Sequence, residues 1–223
     1  MNPAVRVALG VILIVLGALA GVGLQRLLAP RATLQPALVA AHRPPPAAPA
    51  PARVIPMSIP DLALPDASGV MHHLTEWTGH PVIVNFWATW CEPCRREIPL
   101  LIRLRHERAA AGLTVVGIAV DSRAAVLKYA RETGIDYPLL IGESGGLEAV
   151  NAFGLELVFP FSVFADARGR VVAVKVGELH PDEADFILDR LGDIDRGTLT
   201  LAAARLQIEA RLRDLAVARA KHA

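Results

Sequence analysis

Apolar positions along this chain fall into four regimes, and each predicts a different kind of structure. The first is an uninterrupted run over residues 7–24, VALGVILIVLGALAGVGL, without a charge. As a helix rising about 1.5 Å per residue it would reach roughly 27 Å, close to the hydrocarbon thickness of a bilayer. Two readings stand: an uncleaved anchor, or a signal peptide with Arg6 as its positive end and Ala18-Leu19-Ala20 as its cleavage site. Leu27 and Leu28 prolong the apolar character and favour the anchor, so residues 1–28 are expected to be a transmembrane anchor or signal segment. In the second regime, residues 29–56, periodicity disappears. Pro44-Pro45-Pro46 and Ala47-Ala48-Pro49-Ala50-Pro51 cannot pack a core; their prolines bias the chain to extended polyproline II, and the segment reads as a linker.

The third regime, residues 57–195, has the patterns of a folded domain. Strands are expected at 59–64 and 71–74 around an Asp66-Ala67-Ser68-Gly69 turn, and buried strands at 82–87 and 114–120. A helix is expected over 92–111, closed near Gly112 and kinked at Pro99, and another over 124–133, ended by Gly134. A short strand at 138–141 precedes a Gly145-Gly146 loop, after which Leu147, Val150 and Phe153 share a helical face. The runs at 161–165 and 171–176 read as a hairpin, and Pro181 opens a helix to Leu191 with acids in its first turn. Strand and helix alternate and a hairpin and helix follow, which implies an α/β domain: a mixed central sheet with helices on both faces. The fourth regime, 196–223, carries Leu201, Ala204, Ile208, Leu212 and Leu215 as one stripe of an amphipathic helix, with Glu209 and Arg213 paired at i,i+4. Packing against its own domain is the expected use of that stripe; a dimer contact or a membrane surface are the alternatives.

Composition narrows the function classes. The net charge is +1, with 23 basic and 22 acidic residues, which argues against nucleic acid as the main partner. The 53% hydrophobic content is inflated by the N-terminal run and by alanine, and does not imply an unusually large core. The cysteine count matters more. There are 2, separated only by Glu92 and Pro93, so no thiol remains for a structural framework or a four-cysteine metal site. A chain exported to an oxidising compartment gains from lacking stray thiols.

The segment Asn85-Phe86-Trp87-Ala88-Thr89-Trp90-Cys91-Glu92-Pro93-Cys94-Arg95-Arg96-Glu97 runs from a buried strand through a short loop into a helix. This puts Cys91 at the helix start and Cys94 in its first turn, close enough for a small ring that can form and reopen. Unpaired backbone N–H groups at a helix N-terminus favour a thiolate, and Pro93 suits a first turn because its missing N–H would lack a partner there. Arg95 and Arg96 add positive charge; Glu92 opposes thiolate formation and leans the pair toward a reductant. Zinc would need two further ligands, and His72 and His73, adjacent on a strand, point to opposite faces. A copper-binding module or a thiol peroxidase built on the same pair remain as alternatives to thiol-disulfide exchange. Downstream, Pro160 lies between Phe159 and Phe161 in an apolar run, where a trans proline would interrupt a buried strand unless it sits at an edge.

The stretch N-F-W-A-T-W-C-E-P-C-R-R-E-I-P resembles the active-site segment of the TlpA/ResA-like membrane-anchored thioredoxins, and the likeness extends over residues 59–191. The resemblance implies a thioredoxin fold, an inner-membrane anchor with the domain in the periplasm, and reduction of disulfides in partner proteins, for instance in cytochrome c maturation. It implies an upstream membrane electron donor and no cofactor or metal. A plain positive-inside count points the other way: Arg6 alone precedes the run, whereas Arg26, Arg31, Arg43 and Arg53 follow it. The resemblance makes Cys91 the attacking and Cys94 the resolving cysteine, with Trp90 shielding the site. It identifies Glu97 with the family's proton-transferring acid and Pro160 with a cis-proline facing the cysteines, beside which Phe159 offers backbone groups to an extended substrate. Two departures are visible. Asn85 stands where many cytoplasmic thioredoxins carry a buried aspartate, and Val158-Phe159-Pro160-Phe161-Ser162 is bulkier than the usual loop.

Overall fold

Five strands, four of them almost wholly buried, form the centre of the described chain. They are β3 (Val82–Trp87), β4 (Thr114–Ala119), β5 (Leu139–Ile141), β6 (Phe161–Ala165) and β7 (Val171–Val176), in the spatial order β5-β4-β3-β6-β7. β3 pairs in parallel with β4, and β4 with β5; β6 runs antiparallel to β3 and β7 antiparallel to β6. A small hairpin of β1 (Ala63–Pro65) and β2 (Met71–His73) stands apart from this sheet. The computed structural model describes residues 54–221. The expected anchor or signal segment, and all of the expected linker up to residue 53, lie outside the described residues. Among the described residues no helix is long and apolar enough to cross a membrane.

Parallel neighbours need crossover connections, and helices supply them. Helix α1 (Glu92–Glu107) links β3 to β4, and α2 (Arg123–Thr133), N-capped by Ser122, links β4 to β5. Helix α3 (Glu143–Ala152) precedes β6, α4 (Pro181–Asp195) follows β7, and α5 (Leu201–Ala220) closes the described chain. The strands alternate between two cores. Ile83 and Trp87 of β3 face α1, α2, α4 and α5, whereas Val82, Val84 and Phe86 face α3 and the β1-β2 hairpin. This is the mixed sheet with helices on both faces that alternating strands and helices require. Ala204 and Ile208 of α5 are buried in the first core, with Leu201 and Leu212 packed against it, so the stripe of that helix is turned on its own domain.

Several boundaries differ from the sequence-based expectation. The strand expected at 59–64 is reduced to β1, since Pro60 has no N–H for a ladder and Ile59 donates instead to the Gly169 carbonyl at 2.8 Å. The expected strand at 71–74 ends at His73, where a one-turn 3-10 helix, Leu74–Trp77, begins. Helix α1 ends at Glu107 rather than Ala111; a 3-10 turn, Ala109–Ala111, then leads to Gly112 at φ 74°. The helix runs on through Pro99. The glycine pair expected to form a loop lies inside α3, because that helix comes so close to β4 that a Cβ at Gly146 would meet Val120 Cγ2 at 2.8 Å. Leu147 is consequently exposed, while Val150 and Phe153 are buried as expected. Helix α4 continues past Leu191 to Asp195.

Candidate active site

The site begins where β3 ends. Trp87 is buried against the Tyr129 ring, and the chain then crosses Ala88, Thr89 and Trp90 before Cys91 caps α1. Asp121, after β4, holds this loop by accepting from the Thr89 N–H at 3.0 Å and from its hydroxyl. Cys91 is the N-cap residue, and its Sγ accepts from the Cys94 N–H at 3.3 Å, so the helix directs a backbone donor onto that sulfur. The two cysteines are joined in a disulfide with S–S 2.02 Å. Cys91 is 5% exposed and Cys94 is 0% exposed, so only Cys91 opens to solvent. Trp90 beside it is 68% exposed, and its ring meets that of Phe159 edge-on at 6.0 Å. The Phe159–Pro160 peptide bond is cis, and Phe159 packs on the same apolar cluster as both cysteines. The structure thus brings Cys91, Cys94, Trp90, Phe159 and Pro160 together.

Glu97 lies one turn beyond Cys94 on α1 and is 1% exposed. Its Oε1 accepts from Asn85 Nδ2 at 2.6 Å, and its Oε2 from the Leu179 N–H at 2.6 Å. Burial outweighs both hydrogen bonds and pushes its pKa from the ordinary 4.5 up to about 7. The charge of Glu178 raises it further, and Lys175 opposes the rise. A carboxyl at that value is divided between its two protonation states at neutral pH, as a proton carrier must be.

The register of the sheet shows why a carboxylate is tolerated there. Gly117 of β4, Asn85 of β3, Ser162 of β6 and Lys175 of β7 are successive cross-strand partners, a row of one glycine and three polar residues across an otherwise apolar face. Asn85 Nδ2 bonds both Glu97 and, at 3.0 Å, Ser162 Oγ. Tyr137, whose ring lies close over Gly117, is buried, and burial followed by the charge of Glu97 holds its hydroxyl proton more tightly than usual. On the open side Arg96 pairs with Glu178 at 2.6 Å and with Glu92 at 3.1 Å, fastening the connection after β7 to α1. Ser162, Lys175, Leu179 and Glu178 were not anticipated from the sequence. The only signals were a serine and a lysine interrupting two apolar strands, and a backbone N–H leaves none.

His72 and His73 turn to separate partners: His72 to Glu76 and Asp66, at 2.8 and 3.4 Å, and His73 to Asp61 at 2.8 Å. These partners lie on and beside the β1-β2 hairpin, which is not part of the five-stranded sheet. Among the described residues no group of three or more His, Cys, Asp or Glu side chains is placed to hold a metal ion.

The chain is similar to several known proteins. The family model described as AhpC/TSA matches residues 55–196. The thiol-disulfide oxidoreductase ResA of Geobacillus thermodenitrificans (strain NG80-2) is 30% identical over 125 residues, covering 56% of this chain and 70% of that protein. The thioredoxin-like protein YneN of Bacillus subtilis (strain 168) is 33% identical over 134 residues, 58% of this chain and 76% of that one. Among solved structures, a thiol:disulfide interchange protein of the thioredoxin family from Chlorobium tepidum TLS superposes with a TM-score of 0.53 at 34% identity, covering 63% of this chain and 97% of that one.

Proposed function

This chain belongs to the AhpC/TSA family, in its ResA/TlpA-like, thioredoxin-fold branch, and from that premise we propose that it reduces disulfides in partner proteins from a membrane tether. It is a protein-disulfide oxidoreductase. The observation that supports the roles is the Cys91-Cys94 pair at the start of α1, with Cys91 the more exposed of the two and an ionisable carboxyl buried one turn further on. The lean toward reduction rests on Glu92 inside the motif.

The reaction starts from the dithiol. The Cys91 thiolate, favoured by the helix N-terminus and the Cys94 N–H, attacks one sulfur of a partner disulfide. A Cys91–partner bond forms, the partner's disulfide breaks, and one partner sulfur leaves as a thiolate. Cys94 then gives its proton to the Glu97 carboxylate and attacks Cys91 Sγ. The mixed disulfide breaks, and the second partner sulfur leaves as a thiolate that takes up the proton held by Glu97 or one from water. Two electrons have passed to the partner while Cys91 and Cys94 become a disulfide. An upstream dithiol donor in the membrane reverses the sequence and returns the pair to its reduced state. Trp90 and Phe159 form an apolar wall beside Cys91, against which an extended partner segment would lie.

The sequence supports the membrane placement in part. Residues 7–24 are apolar and long enough to span a bilayer, and the Ala/Pro-rich stretch after them suits a spacer. The proposal is a single inner-membrane span with the catalytic domain in the periplasm. Protease added to spheroplasts should cleave the domain; protection until lysis would put it on the cytoplasmic side, as the arginine count suggests.

The decisive experiment compares Cys91→Ser and Cys94→Ala in the full-length protein. Cys91→Ser is expected to lose insulin or partner reduction altogether. Cys94→Ala is expected to accumulate mixed disulfides through Cys91, whose captured partners identify the substrates. Full turnover by Cys91→Ser would remove the mechanism, and rapid peroxide consumption by the wild type would favour a thiol peroxidase instead.

A further inference from the structure

Helix α5 follows the residues matched by the family model, and its last turn bears Arg219. Arg213 on the same helix pairs locally, with Glu209 one turn away and both side chains well exposed. Arg219 instead reaches across to the first turn of α4. Its Nη1 lies 2.6 Å from Glu183 Oε1, and its Nη2 takes Asp182 Oδ1. Glu183 is 1% exposed. Its other oxygen accepts from the His180 N–H at 3.1 Å, and Lys175 Nζ stands 3.4 Å from Oε1. A carboxylate removed from water in this way depends on its cations, and loss of one leaves it poorly compensated.

The position of that carboxylate in the chain matters. The residue before His180 is Leu179, whose N–H donates to Glu97 at 2.6 Å, and the residue before that, Glu178, is fastened to α1 by Arg96. The short connection carrying the Leu179 donor is therefore pinned twice: at Glu178 from α1, and at His180 through Glu183 from α5. We propose that Arg219 is a positioning residue for disulfide exchange, holding Glu183 so that the connection keeps the Leu179 N–H on Glu97. Helix α5 is then a brace for the proton carrier in addition to a cover for the core. The consequence for turnover rests on the proton-transfer role proposed above for Glu97; the positioning does not.

The groups facing Glu97 fix the direction of the effect. Lys175 from β7 lowers its proton affinity and Glu178 from the connection raises it; Tyr137, from the segment before β5, is neutral, as are Asn85 and Ser162. Without Arg219, Lys175 is the one remaining ion-pair partner of Glu183 among the described residues, so its ammonium is drawn toward Glu183 and away from Glu97. The Leu179 donor also loosens. Both changes favour the protonated form of Glu97.

The test reads Glu97 directly, in the full-length protein with 13C-carboxyl-labelled glutamate and Glu97→Gln to assign the signal. In Arg219→Met the titration midpoint of Glu97 is expected to rise by about half a pH unit, corresponding to about a threefold smaller ionised fraction below the midpoint. Arg219→Lys is expected to restore most of the shift, and Arg213→Met to superimpose on the wild type. A folded Arg219→Met with an unmoved midpoint overturns the proposal, as does an equal shift in Arg213→Met. If Arg219→Met does not fold, Arg219→Gln takes its place under the same criteria. A midpoint that moves while the pH profile of turnover stays fixed supports the positioning and removes the proton-transfer reading; an unmoved midpoint overturns the positioning whatever turnover does.

Discussion

The two faces of the central sheet are made by alternate residues of the same strands, yet they are built on different principles. On the face toward α3, Phe86 stacks on Phe161 at 4.2 Å and meets Phe153 edge-on at 5.5 Å within a buried apolar cluster. On the face toward α1, the same strands contribute Asn85 and Ser162 and receive Glu97, with the disulfide one turn away. Dispersion and burial stabilise the first face with nothing to titrate. The second accepts a buried carboxyl whose ionisation is unfavourable, and depends on a small number of hydrogen bonds to limit the cost. Both faces bury an apolar core, and the one toward α1 also takes in a carboxyl beside the disulfide, at a cost in stability.

The largest effect expected from this contrast is on the apolar face. Phe153→Ala removes a fully buried ring that closes the aromatic cluster, and is expected to cost about 3–5 kcal/mol in denaturant unfolding. Exchange by the remaining folded protein, measured well below the unfolding midpoint, is expected to match the wild type. If Phe153→Ala slowed exchange as much as a change at Glu97, the two faces would not be separable and the comparison would break.

Glu97→Gln sharpens it from the other side. The Glu97 carboxyl binds its proton more tightly in the folded chain, at about 7, than at its ordinary 4.5. Its contribution to stability is therefore fully present below about pH 4.5 and is lost as pH rises through 7. The whole change is on the order of 3 kcal/mol. A glutamine is never charged, so Glu97→Gln is expected to flatten this part of the stability-pH curve and to be more stable than the wild type at pH 8. Asn85 can accommodate it by turning its amide, since Asn85 Oδ1 has no hydrogen-bond partner among the described residues. Exchange at that pH is expected to fall by about 100-fold as the proton acceptor is lost. A mutant with unchanged curvature in both profiles would show that Glu97 neither titrates in this range nor moves a proton.

The two faces also differ in how far the sequence disclosed them. Apolar runs such as Val82-Ile83-Val84 and the cysteine pair declare themselves by pattern, and Glu97 is reached through the family resemblance of the segment around the cysteines, with its place one turn after Cys94 in accord. The contents of the polar row could not be assembled, because Gly117, Asn85, Ser162 and Lys175 come from four strands and meet only through register. Leu179 acts through its backbone, and Glu183 is paired by Arg219 from the distant α5, so neither residue type announces its part. The misplaced Gly145-Gly146 loop has the same origin: glycine reads locally as a break, whereas here it permits close approach to Val120. Close local pattern was legible; what depended on distant segments meeting was not.

The smallest and most discriminating change is Ser162→Ala, which lies in the polar row without touching Glu97. Its Oγ accepts the second N–H of the Asn85 amide at 3.0 Å, while the first goes to Glu97. Losing that acceptor leaves one buried donor unpaired, at an expected cost of about 1 kcal/mol, well below Phe153→Ala. The Asn85 bond to Glu97 should survive, because the Leu179 N–H still orients the carboxyl from the opposite side. The pH midpoint of exchange is therefore expected to stay where the wild type has it, with only the unfolding transition moved. Should that midpoint move as far as it does in a direct change at Glu97, the row would be acting as a single proton-holding unit. The cost of the polar face would then have to be assigned to all of its members together.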